Sequence, residues 1–189
     1  MNMNTKKIAL IVTLAAVSIG SNYAMVSIHN VKIMDLIVFV SGFCFGPIVG
    51  SLIGIISWGI YGAANPFGFS FHIWAATMFS ESIYAIAGAL TRKTIRLDDL
   101  NGFKSQRISA AICFGALGIF LTFAYDIVTN VAFASYYDWN IPLSIVIGFV
   151  PMGIIHVASN ALFFGMGCSP TITAVLNVLG GDNLRTHKK

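Results

Sequence analysis

Apolar residues in this chain fall in long runs, separated by short polar clusters. The first run covers about 8–25, directly behind Lys6 and Lys7. Ser18-Ile19-Gly20 offers the small residues of a signal-peptide cleavage site, but the rest of the chain is equally apolar, so this run reads as a retained first helix. After a polar stretch at 27–32 the chain is apolar from 34 to 61. As one helix that segment would be about 42 Å long, well beyond a hydrocarbon core of about 30 Å. Gly46-Pro47 supplies the break, because proline removes a backbone donor and restricts the residue before it. Two short helices are therefore predicted, 34–45 and 47–61, with Gly42, Gly46, Gly50 and Gly54 spaced for close backbone approach.

A loop at 62–72 leads to a fourth helix over 73–91. The only long polar stretch, 91–107, precedes a fifth helix over 108–135, a loop at 135–142, and a sixth helix over 143–168 bent near Pro151. From Ser169 a tail carries a short apolar run and then Arg185, Lys188 and Lys189. The pattern predicts an all-α integral membrane protein: a six-transmembrane-helix bundle with cytoplasmic termini, one membrane domain over 1–189.

Composition agrees. Hydrophobic residues make up 57% and charged residues 10% of the chain, too few charges to cover a water-facing surface that averages about 25%. The net charge of +4 does not point to nucleic acid, because the basic residues lie in short segments beside the apolar runs. With the N-terminus inside and six crossings, Lys6, Lys7, Arg92, Lys93, Arg96, Lys104, Arg107, Arg185, Lys188 and Lys189 all fall on the inner side, ten of the eleven, and only Lys32 lies outside. Aromatic residues crowd the other side: Tyr61, Phe67, Phe69, Phe71, Trp74, Tyr136, Tyr137 and Trp139. Cys44, Cys113 and Cys168 are scattered through apolar segments without a CxxC or Cys/His cluster, so they read as small hydrophobes, and neither a disulfide framework nor a metal site is expected.

Ionisable groups at membrane depth need a reason. Glu81 lies midway along the fourth helix, on a stripe with Trp74, Thr77 and Tyr84. Thr122, Asp126 and Asn130 share a face of the fifth helix, and His156 and Asn160 a face of the sixth. Overlaid, the three stripes would line a polar cavity in the central-to-outer part of the bundle. Glu81 and Asp126 are candidate ligand contacts; the alternative is hydrogen-bonding glue between helices, the expected role of Thr122 and Asn160. His156 pairs with one of those carboxylates or joins the site. Asp35, just after Lys32, reads as an interfacial helix cap. With no Lys or Arg in the predicted interior, a neutral or cationic heterocycle fits better than an anion. No HExxH, Walker loop or GxSxG is present, and a Ser70–His156 hydrolase is the weakest of the options.

One stretch resembles a known family. The run Gly42-Phe43-Cys44-Phe45-Gly46-Pro47-Ile48-Val49-Gly50, behind a lead-in carrying Asp35, is similar to the second and third helices of the S components of energy-coupling factor (ECF) transporters. Size, helix count and predicted topology extend the resemblance over nearly the whole chain. It implies a substrate-binding subunit in the cytoplasmic membrane of a prokaryote, not an enzyme and without a cofactor. Such a subunit captures a vitamin or similar heterocyclic micronutrient, energised by a transmembrane coupling protein and two ATPase subunits. The resemblance implies docking to the coupling protein through small residues of the first helix; here the counterparts are Ala9 with Thr13 and Ala16 with Gly20, neither in the strict alanine form. It implies a substrate site drawn from helices four to six and the outer loops, which adds Asn65, Trp74 and Trp139 to Tyr84, Glu81, Asp126, Asn130 and His156. The Met-His-Ile beginning of metal-uptake relatives is missing, so a metal cargo is not expected. Two other classes stay open: a stand-alone proton-coupled carrier relaying protons through Glu81, Asp126 and His156, and an intramembrane enzyme.

Overall fold

The computed structural model describes residues 4–65, 68–95, 100 and 102–186, with side chains up to 179. Phe67, Arg96, Lys188 and Lys189, used above for the aromatic and basic sides, lie outside the described residues, as does the side chain of Arg185. Every described element is helical: α1 (Thr5–Ala24), α2 (Met34–Phe45), α3 (Pro47–Ala63), α4 (Phe71–Ser80), α5 (Ser82–Thr94), α6 (Lys104–Tyr137), α7 (Ile141–Gly148), a π turn (Phe149–Gly153) and α8 (Ile154–Thr186). Among the described residues, four spans are long and apolar enough to cross a bilayer: Thr5–Ala24, Phe71–Thr94, Lys104–Tyr137 and Ile141–Leu179.

The bundle turns large apolar side chains outward: Phe79, Phe120, Leu162 and Met166 are exposed, the last 77%. Inside, an apolar core with Phe39, Phe114 and Phe164 surrounds buried polar residues, Asn22, Asp35, Glu81, Thr122, Asp126, His156 and Asn160. An apolar coat over a core that holds ionisable groups suits lipid as the outer solvent.

α2 and α3 form a hairpin. Gly46, at φ 94°, makes the turn, and Pro47 opens α3 where its missing N–H costs nothing. α2 has 12 residues, about 18 Å, too short to span a core of about 30 Å. Its N-terminus therefore begins inside the bundle. Close packing holds it there: a Cβ on Gly42 would run into the Ala85 backbone carbonyl of α5, and one on Gly50 would lie 2.6 Å from the Gly42 nitrogen.

α4 and α5 belong to one apolar span that breaks at Glu81. Thr77 Oγ1 donates to the Trp74 carbonyl (2.9 Å) and Ser80 Oγ to the Ala76 carbonyl (2.6 Å), the back-bonding that bends helices. The predicted bend at Pro151 is a full interruption, with Val150 at φ −112°, ψ 117° and a cis Val150–Pro151 bond. The Met152 carbonyl at this break accepts from Asn30 Nδ2 at 2.9 Å, so the α1–α2 connection closes over it. Beyond 168 the chain stays helical through Pro170 to Thr186, where the sequence pattern had suggested only a tail.

The two ends of the bundle differ. Trp58, Phe69, Trp74 and Tyr137 gather at one. At the other, Lys6 and Lys7 border an apolar groove with Phe45 of the hairpin tip and Val178 of α8, and Arg92 lies over the Phe43 ring.

Candidate functional site

α6 and α8 run antiparallel, so the spacing of four on each helix matches rung by rung. Asp126 Oδ1 meets His156 Nδ1 at 2.9 Å, and one turn deeper Asn160 Nδ2 donates to Thr122 Oγ1 at 2.7 Å. Gly115 and Gly165, facing each other, let the two helices come this close. The short α2 then inserts Asp35 into the same layer. Asp35 Oδ2 lies 2.8 Å from His156 Nε2 and accepts from Asn160 Nδ2 at 2.6 Å. Tyr84 of α5 completes the layer by donating its hydroxyl to Thr122 Oγ1 at 3.1 Å.

His156 therefore bridges two carboxylates and is itself fully buried. Each ring nitrogen faces a carboxylate oxygen, so when doubly protonated the imidazole donates at both ends and charge-assisted bonds hold the trio Asp35–His156–Asp126. Neither ring nitrogen remains for Ser70. Glu81, also fully buried, sits beside Asp35, and its Oε2 accepts from Trp58 Nε1 of α3 at 2.9 Å.

Two adjoining clefts lie above this layer and share Trp58, Ile73 and Thr77. The larger, about 340 Å³, is walled by Trp58, Phe69, Trp74 and Tyr137, with Asn65 and Ser70 as polar lining. The smaller, about 260 Å³, is lined by Lys32, Tyr125, Asp126 and Asn130 among others.

The predicted site residues are thus sorted by the fold. Asp126 and Asn130 line the smaller cleft, and Trp74 and Asn65 the larger. Glu81, Tyr84 and His156 do not line an open cavity; they form a sealed polar core beneath it, because their hydrogen-bond partners pack directly against them. Trp139 is half exposed and packs edge-on against Phe133 at 5.5 Å, outside both clefts. Asp35 is not an interfacial cap: α2 has no side-chain cap, and the carboxylate is 1% exposed, because the helix that carries it starts at depth. Lys32 also departs from expectation, reaching the smaller cleft with its ammonium over the Trp58 and Tyr125 rings. Trp58 and Tyr125 were missed; their sequence signal is a polar-tipped aromatic inside an otherwise apolar run.

Ala9, Thr13, Ala16 and Gly20 share the exposed face of α1, while Ile11, Ala15, Ser18 and Asn22 point inward. Gly20 has open space around its α-carbon. Comparison with family profiles, with curated proteins and with solved structures returns no match.

Proposed function

We propose that this chain is the membrane-embedded substrate-binding subunit of an uptake system of the energy-coupling factor type, in the cytoplasmic membrane of a prokaryote. The observation that carries this reading is the aromatic-walled cleft resting on a sealed polar core. Flat aromatic walls with a few polar groups suit a small heterocycle. The packed layer below closes the cleft on its inner side, which supports capture over open conduction. Moving the substrate onward then needs work from outside, which separate coupling and ATPase subunits supply. The exposed small-residue face of α1 suits close packing against such a coupling subunit.

In this reading the α1–α2 connection and the short α2 together make the second crossing and α3 the third, giving six in all with both termini cytoplasmic. The basic end of the bundle is then the inner one and the aromatic end the outer one.

Native mass spectrometry of the protein purified from its own host, looking for a co-purified small molecule, tests capture. Reconstitution with and without the coupling and ATPase subunits tests the energy source: uptake is expected only with ATP and partners. One observation favours a second reading. The carboxylate–imidazole–carboxylate chain has the groups of a proton relay, and uptake into vesicles holding this chain alone, driven by a proton gradient, would establish a carrier instead.

A further inference from the structure

Lys32 is a cation set among groups that call for one. It stands on the α1–α2 connection, half-buried, with its ammonium 4.9 Å from the centre of the Trp58 ring and 5.8 Å from that of Tyr125. Both distances are within cation–π range. The two ion pairs among the described residues both belong to His156, so no carboxylate there comes within ion-pairing distance of Lys32.

The same cleft holds groups that the lysine leaves unsatisfied. Asp126 Oδ2 and the Tyr125 hydroxyl are buried without a hydrogen-bond partner, and both residues line it. Glu81 Oε1, behind Trp58, is in the same condition. A buried acceptor without a donor costs about 1–3 kcal/mol, more when charged. Two ring faces and a carboxylate with spare lone pairs make a cage for a positively charged group. The tethered ammonium meets the rings and leaves Asp126 Oδ2 and the Tyr125 hydroxyl without a partner.

We propose that Lys32 is a built-in stand-in, and that the Trp58–Tyr125–Asp126 cage takes the ammonium group of an organic cation, which displaces it. An anion held by Lys32 is the opposite use of the same lysine. It would lie among the carboxylates of Asp126, Asp35 and Glu81, two of which already have an unpartnered oxygen. The proposal rests on the cleft as a ligand site, but not on any partner subunit, because binding is measured on the purified chain.

Choline is the probe: its quaternary head tests the ring faces and the Asp126 charge while its hydroxyl supplies a hydrogen-bond donor, with its uncharged isostere 3,3-dimethyl-1-butanol and the anion butyrate as comparisons, followed by tryptophan fluorescence in detergent. Removing the competitor with Lys32→Gln should tighten choline binding roughly threefold to tenfold. Lys32→Arg, which keeps an occupant, should not tighten it, and the isostere should not respond to either change. Adding Trp58→Leu or Asp126→Asn to Lys32→Gln should remove the gain. Lys32→Met, which keeps the apolar stem, replaces Lys32→Gln if the latter fails to fold. Choline binding that is unchanged or weaker in the Lys32→Gln or Lys32→Met protein overturns the proposal. So does an equal gain for the isostere, or butyrate binding that Lys32→Gln abolishes.

Discussion

Substituting His156 by leucine puts the buried trio to a quantitative test. The change keeps apolar bulk but removes the imidazole that bridges Asp35 and Asp126, at 2.8 and 2.9 Å. Asp35, 1% exposed, retains Asn160; Asp126, 7% exposed, loses its one side-chain hydrogen bond among the described residues. Removing one partner of a buried charge pair costs about 3–5 kcal/mol, because the remaining charge stays desolvated. For a chain of this length about 1 kcal/mol moves the midpoint of thermal unfolding by about 2–4 °C. The expected loss for His156→Leu is therefore about 6–20 °C, read by a melting scan in detergent.

Removing the stranded charges should rescue the protein. In the triple variant His156→Leu/Asp35→Asn/Asp126→Asn the stranded charges are gone while the side-chain shapes remain. Buried ion pairs replaced by neutral groups are often no worse than the pair itself. The triple variant should regain at least half of the lost melting temperature. If His156→Leu melts within about 2 °C of the parent, the imidazole does not hold the layer together. If the triple variant is no better than the single one, the cost lies in packing and not in charge.

Further outcomes follow from the same geometry. Asp126→Asn, in the cleft wall, should weaken capture of a donor-rich ligand about tenfold to a hundredfold, and Glu81→Gln, sealed behind Trp58, should weaken it less; titration of the co-purified ligand decides, and equal losses would contradict the sealed position of Glu81. Gly42→Ala should destabilise by about 1–3 kcal/mol, because its methyl meets the Ala85 carbonyl, whereas Gly20→Ala, with open space, should leave the melting temperature unchanged. Ala16→Leu or Gly20→Leu should reduce capture of a coupling subunit in a pull-down while ligand binding persists; an undiminished pull-down in both removes this face of α1 from docking. In a cysteine-free background, Ser105→Cys should resist an impermeant thiol reagent added outside sealed cells and Ser135→Cys should react with it; the reverse labelling would invert the topology.

Much of the architecture is legible in the sequence because its causes are local. Gly46-Pro47 divides an apolar run that is too long for one span, and the structure turns there. The rungs Thr122–Asp126 and His156–Asn160 could be read from spacing alone, since a helix repeat places residues four apart on one face. Their pairing could not, because it needs α6 and α8 antiparallel and in one particular register. Asp35 was misread for a related reason. Proximity to Lys32 and a helix start normally mark an interface, and the pattern of one segment does not say how deep its first residue lies.

Depth is decided by the hairpin. A helix of 12 residues cannot reach both faces of a bilayer, so either its end is left in lipid or it is buried against protein. Here Gly42 against Ala85 and Gly88 against Phe39 bring the α2 backbone into contact with α5. That contact sets Asp35 at the level of His156, one turn above Thr122 on α6. Lys32, three residues earlier, is then drawn over Trp58 and Tyr125 and cannot extend freely to the surface. The polar core and the cation over the cleft are thus two consequences of one short helix. A substitution that lengthens the Gly42–Ala85 distance should disturb both together, even though neither residue carries a polar side chain.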